Sequence, residues 1–197
     1  MADSASDARW LVIGLGNPGP EYAATRHNAG FLTVDELASR IGGKFTGHKS
    51  RADVLEGRIG VGHDSLRVIL AKPRTYMNES GGPASALISF FKIPIDHVLV
   101  VHDELDLPFQ TLRAKQGGGD NGHNGLKSVT KSLGSADYFR LRFGIGRPQG
   151  SQDPADFVLK PFNSTERQEL AITIDRAADA AESLMRVGLE ETQQRFN

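Results

Sequence analysis

The chain has 197 residues, of which 39% are apolar and 24% charged, with a formal net charge of −1. That is the size of one ordinary domain, and such a length buries roughly 70% of its unfolded surface without a metal or disulfide staple. Cysteine is absent, which excludes disulfide scaffolds, thiolate zinc sites and thiol nucleophiles and suits a reducing compartment. No apolar run approaches the roughly 20 residues of a membrane span, and the polar start MADSASDAR lacks the apolar stretch of a signal peptide. The expected organisation is a disordered tail over residues 1–8 and a single domain over residues 9–197.

Short apolar runs alternate with helical patterns, which predicts an α/β domain: a central twisted mixed β-sheet with helices on both faces. Trp10–Ile13 reads as a strand that runs into a Gly/Pro loop. Asn28 is a candidate N-cap for a helix carrying Val34, Leu37, Ala38 and Ile41, which Gly42 and Gly43 can end. Residues 52–59 and 66–71 read as strands. Asn78 is expected to cap a helix running to about Lys92, with Pro94 preventing its continuation. Val98–Val101 is a buried strand ending in His102, Asp103 and Glu104. A strand over 111–116, a glycine loop, a helix over 124–133 and a strand over 139–145 follow. Asn163 and Glu166 have capping-box spacing, and Leu170, Ile174, Ala177, Ala178, Ala181, Leu184 and Met185 form one helical stripe.

The charge is unevenly spread. Residues 111–150 carry seven Lys and Arg against two Asp and Glu, inside an otherwise slightly acidic chain. Such a segment is either a solvated surface or a face for phosphates.

Gly14-Leu-Gly16-Asn-Pro-Gly19 matches GxGxxG after a strand, but Pro18 and Pro20 lack the amide protons that cradle a pyrophosphate. Asp35 and Glu36 also fall in a helical pattern rather than at the end of a strand. No dinucleotide is expected; the loop reads as a tight turn presenting Asn17 at the sheet edge. There is no GxSxG elbow and no HExxH. His102, Asp103, Glu104 and Asp106 are close in sequence, but strand alternation sends 102 and 104 to one face and 103 to the other, so no metal is expected.

Hydrolysis would then fall to water activated by a general base. Among six histidines, His27 stands out, because it lies between the glycine turn and the first helix, near the edge that Asp103 can reach from a central strand. A carboxylate on one imidazole nitrogen fixes the tautomer and stabilises the imidazolium. Asn17, Asn28, Asn78 and Asn124 can hold water, a carbonyl or an oxyanion. Each also has an ordinary explanation, Asn28 and Asn78 as helix caps and Asn124 as part of a glycine turn.

GLGNPGPEYAATRHNAGF at 14–31, KPRTYMNESG at 72–81, HDELDLPFQTLRAK at 102–115, GGGDNGHNGLKS at 117–128 and FRLRFGIGRP at 139–148 together resemble the ordered blocks of bacterial peptidyl-tRNA hydrolases. The resemblance implies a cytoplasmic, metal-free and cofactor-free monomer that cleaves the ester between a peptide, or another N-blocked aminoacyl group, and the 3′ end of tRNA. It implies that His27 is the catalytic base, Asp103 its supporting carboxylate and Asn17 the amide that distinguishes blocked from free amines. Tyr22, Tyr76, Asn78 and Asn124 become substrate contacts, with Met77 and His123 beside them. Tyr76 stands where many relatives carry Phe, and both rings offer a face for stacking. The basic segment, above all Arg113, Lys115 and Arg142, is then expected to track acceptor-stem phosphates near the CCA end, with Lys127, Lys131 and Arg140 as further candidates. A non-catalytic RNA-binding protein on the same fold is the alternative.

Overall fold

A computed structural model describes residues 8–197; the expected tail therefore lies, apart from Ala8, outside the described residues. A seven-stranded sheet runs in the order β2-β3-β4-β1-β5-β7-β6. Its strands are β1 (Arg9–Gly14), β2 (Thr46–His48), β3 (Ala52–Ile59), β4 (Leu66–Pro73), β5 (Val98–Glu104), β6 (Leu112–Gln116) and β7 (Phe139–Gly144). The four inner strands β4, β1, β5 and β7 are mutually parallel, whereas β2, β3 and β6 join antiparallel at the edges. The sheet is thus mixed, as the sequence predicts.

Helices α1 (Ala29–Ile41), α2 (Gly81–Phe91), α3 (Asn124–Leu133), α4 (Pro154–Val158), α5 (Ser164–Val187) and α6 (Leu189–Phe196) complete the fold. Strand alternation divides the core. Val12, Leu70, Leu99, Val101, Leu141 and Phe143 face one layer, where they pack with Val34 and Leu37 of α1 and the alanine-rich stripe of α5. Leu11, Ile13, Ile69, Val98 and Val100 face the other, against Ala84 and Leu87 of α2 and Leu126 and Val129 of α3. Each buried Leu or Ile contributes about 1.5–3 kcal/mol relative to exposure. The small residues Ala177, Ala178 and Ala181 let α5 lie close to α1, where Arg40 pairs with Asp175 and Asp179.

The capping box forms as expected: Asn163 N–H donates to Glu166 Oε2 at 2.6 Å and Glu166 N–H to Asn163 Oδ1 at 2.8 Å. Gly42, at φ 77°, ends α1 by donating to the Ala38 and Ser39 carbonyls. Two expected caps are absent. The Asn28 side chain makes no capping bond to α1 and is engaged elsewhere. Asn78 lies inside a 3₁₀ turn, Met77–Glu79, and Ser80 occupies the N-cap position of α2. Both asparagines sit near a helix start, but tertiary partners and an extra turn override the local preference. The short elements β2, α4 and α6 are additions that periodicity did not reveal.

The sheet places the site. After β1 the chain builds β2, β3 and β4 on one side, and after β5 it builds β6 and β7 on the other. The crevice of such a sheet opens outside the carboxyl ends of the strands where direction changes, here β1 and β5. Gly14 and Gly30 let α1 approach this edge, because a Cβ at Gly30 would collide with the backbone carbonyls of Val101 and Leu15. Gly30→Ala is expected to lose about 1–3 kcal/mol of stability through overpacking, measured as a lower urea midpoint at unchanged slope. An unchanged midpoint would mean that this close approach is not required.

Candidate active site

β1 ends in a loop that continues its pairing for one residue, Leu15 N–H donating to the Val101 carbonyl at 3.0 Å. Asn17 follows, and Pro18 after it biases Asn17 towards extended backbone. Asn17 N–H donates to Asn28 Oδ1 at 2.9 Å, and Asn28 Nδ2 donates to the Asn17 carbonyl at 3.0 Å. Asn17 Oδ1 accepts from Met77 N–H at 2.8 Å. The Asn17 Nδ2 amide has no partner among the described residues, and Asn17 lines the cleft described below.

His27 stands in a 3₁₀ turn, Arg26–Asn28, just before α1. Its neighbour Arg26 anchors the turn, ion-pairing with Glu166 at 3.0 Å and lying 4.1 Å over the Phe157 ring. His27 Nδ1 is 3.0 Å from both oxygens of Asp103, at the end of β5. His123, at the N-cap of α3, approaches the same carboxylate from the other layer, its Nε2 2.8 Å from Asp103 Oδ1.

Hydrogen-bond polarity fixes both tautomers. Gly125 N–H and Leu126 N–H donate to His123 Nδ1 at 3.1 and 3.3 Å, so Nε2 carries the proton given to Asp103. An ionised Asp103 only accepts, so His27 holds its proton at Nδ1 and keeps a lone pair on Nε2. Burial pulls the His27 pKa down, but the charge and hydrogen bond of Asp103 outweigh it and leave the pKa above the ordinary imidazole value. Burial likewise opposes ionisation of Asp103, yet the facing His27 and His123 hold it far below the carboxylate range. His102 behaves oppositely: burial, reinforced by His123, pushes it to about 3, while its Nδ1 donates to the Asp103 carbonyl at 2.7 Å.

Asn17, His27, Tyr76, Met77, Asn78, Asp103, His123 and Asn124 all line one cleft of about 370 Å³. Tyr22 stands outside this lining and meets Tyr76 edge-on, with ring centroids 6.4 Å apart. The far wall, which sequence reasoning missed, comes from α4, with Pro154, Ala155, Val158 and Leu159. Its sequence signal was the Asp153-Pro154 start: Asp153 caps α4 through Ala155 N–H. Asn121 and Glu104 also join the cleft, and no helical or strand pattern marks Asn121, a loop residue at φ 50°.

Of the acidic sequence cluster, Asp103 goes to the histidines while Glu104 and Asp106 turn to Asn121. A different trio, His27, Asp103 and His123, has ligand atoms within 4.8 Å of one another. Those atoms are already hydrogen-bonded among themselves. To ligate a cation through Nε2, His123 would have to move its proton to Nδ1 and leave two backbone amides unpaired.

The basic residues gather on the β6–β7 edge, where Arg113 lies opposite Arg142 and Lys115 opposite Arg140. Burial and the two arginines lower the Lys115 pKa. Arg140 departs from expectation. It is fully buried and donates to the Gly118 and Gly119 carbonyls at 2.9 and 2.6 Å, so it shapes the glycine loop instead of facing phosphate. Arg142 is 3.4 Å from Glu104.

The profile of a known family, peptidyl-tRNA hydrolase, matches residues 11–197. The chain belongs to the peptidyl-tRNA hydrolase family. It is 61% identical over 192 residues to the peptidyl-tRNA hydrolase of Streptomyces coelicolor, covering 96% of each chain. It is 54% identical over 197 residues to that of Frankia casuarinae, covering 100% of this chain and 98% of the relative. The crystal structure of peptidyl-tRNA hydrolase from Acinetobacter baumannii superposes with a TM-score of 0.83 at 35% identity, covering 96% of this chain and 94% of that one. The mixed α/β fold is therefore that of solved peptidyl-tRNA hydrolases. No helix among the described residues is long and apolar enough to cross a membrane.

The depressed His102 has a consequence for stability. An unfolded imidazole binds its proton near 6.5, whereas the folded one resists until about 3. Between those values the unfolded chain holds the extra proton, so stability falls as pH falls. The stabilisation from Asp103 is fully present above its unfolded pKa of 3.8 and is lost only below it, and His27, protonated in both states below 6.5, contributes a constant amount there. In His102→Asn the decline in unfolding free energy from pH 6 to 4.5 should be shallower by up to one proton, as read from urea titrations at each pH. Equal slopes would place the His102 proton uptake elsewhere.

Proposed function

We propose that the chain hydrolyses the ester joining a peptide, or another N-blocked aminoacyl group, to the 3′ end of tRNA, releasing free tRNA and the blocked acid. The reading rests on the His27–Asp103 pair, whose geometry directs a basic Nε2 at a cleft beside Asn17. Water near Asn17 and His27 attacks the ester carbonyl as Nε2 takes its proton, and Asp103 stabilises the imidazolium. Asn78, exposed at the cleft wall, donates to the developing oxyanion. As the tetrahedral intermediate collapses, the ribose oxygen leaves with the proton held by His27. General-base help supplies about 10²–10⁴-fold, and an oxyanion donor is of similar scale. No step calls on a metal or cofactor.

Specificity follows from what Asn17 has left to offer. With Oδ1 committed to Met77 N–H, it presents a donor only. The carbonyl of an N-acyl group accepts from it, whereas a free α-ammonium is itself donor-only and leaves the amide unpaired.

The exposed Tyr76 ring, braced by Tyr22, offers a stacking face to the terminal base of a CCA end. Asn78 and Asn124 also line a shallow groove leading to Lys127 and Lys131. Like charges directly opposite on paired strands destabilise a sheet. The Arg113–Arg142 pairing, with Lys115 two residues along β6, therefore favours an anionic partner, here the acceptor-stem phosphates. We place this activity in the cytoplasm and in the monomer.

N-acetylaminoacyl-tRNA should be cleaved and the unblocked ester spared, with chelator leaving the rate unchanged, in a tRNA-release assay. His27→Ala should lose at least about 10²-fold in kcat. Full turnover in that variant would remove the general-base assignment, and tRNA binding without release in the wild type would favour an RNA-binding role. Arg142→Ala should raise KM and flatten the salt dependence by about one phosphate contact, with kcat retained. An unaltered salt slope would take Arg142 off the RNA path.

A further inference from the structure

Asn28 is buried to 1% exposure, yet it neither caps α1 nor lines the catalytic cleft. Its side-chain amide is spent on one residue. Oδ1 accepts from Asn17 N–H and Nδ2 donates to the Asn17 carbonyl, as a neighbouring strand would. The assignment of oxygen and nitrogen is unambiguous because the backbone groups it faces are one donor and one acceptor.

Asn17 needs such a partner. It lies beyond the end of β1, so no strand pairs it. Its carbonyl belongs to the peptide bond with Pro18, which has no N–H. Both groups are buried with Asn17 itself, and an unpaired buried peptide group is costly.

We propose that Asn28 is a positioning residue for the discrimination between blocked and free amines, acting through Asn17. By clamping both backbone groups it fixes the Asn17 Cα–Cβ direction, so that Oδ1 meets Met77 N–H and Nδ2 alone faces the cleft. Asn28 directly follows His27 in the same 3₁₀ turn. One rigid dipeptide therefore sets both the base and the direction of the selecting amide, and substrate identity and proton abstraction are registered against each other. The inference rests on the reading of Asn17 given above.

The test is a double-mutant cycle. Asn28→Asp is isosteric and keeps an acceptor for Asn17 N–H, but it turns a carboxylate oxygen towards the Asn17 carbonyl. Asn17→Ala removes the side-chain amide and keeps the backbone groups that Asn28 binds. kcat/KM for N-acetylaminoacyl-tRNA is measured in all four proteins, with thermal unfolding and the pH profile of kcat alongside. Asn28→Asp is expected to lose about tenfold or more in the wild-type background and almost nothing further in Asn17→Ala, with the His27 inflection retained. An equal loss in both backgrounds, or no loss in either, would overturn the proposal, since a merely structural defect adds to any background. If Asn28→Asp shows no cooperative unfolding, Asn28→Ser enters the same cycle. Amide hydrogen exchange in the wild type decides independently: the Asn17 amide should be protected like those of β1, and exchange as fast as in an open turn would overturn the clamp. Failure of the wild type to prefer the blocked ester would instead defeat the Asn17 reading and leave the geometry of the clamp untouched.

Discussion

Everything in the site depends on one ionised carboxylate held out of water. Asp103 is 2% exposed, and an isolated charge there would cost several kcal/mol. Two imidazoles offset that cost, one from each helical layer: His27 ahead of α1 and His123 at the start of α3. The carboxylate is thus the point at which both layers are tied to the sheet. It is also what orients His27, because an acceptor-only anion on Nδ1 leaves Nε2 as the lone pair facing the cleft.

His123 matters to this balance in a way a neighbouring contact would not. Its Nδ1 is taken by two backbone amides, so it donates to Asp103 through Nε2 with a fixed orientation. His102, stacked edge-on to it at 5.1 Å, is kept neutral by burial. His27, which lines the cleft, has its pKa raised, whereas the buried His102 has its pKa lowered.

The amides form a second framework. Asn28 holds the backbone of Asn17, Asn17 holds Met77, and Ser80 Oγ donates back to the Met77 carbonyl at 2.7 Å. The two ends of the β1–α1 connection and the turn after β4 are joined without a charged group, so none of these links titrates. That separation leaves the amide framework insensitive to the protonation of the imidazoles.

Much of this was legible in the chain. Alternating and helical periodicities gave the inner strands and α1, α3 and α5, because a core face must be apolar at the spacing of its element. His27 and Asp103 could be paired from their positions at the same sheet edge, and the family blocks reinforced the pairing. Local signals were less reliable where a side chain had a stronger partner far away in sequence: Asn28 and Asn78 carry cap chemistry but do not cap. Arg140 counts as a cation in composition and is a buried loop anchor in the fold. By itself the sequence determined the class of fold, the absence of thiol chemistry and the histidine to suspect, since these follow from residue type and spacing. Tertiary structure alone decided which atoms of each amide and imidazole remain free, because hydrogen-bond polarity is settled by partners 11, 20, 60 and 76 residues away.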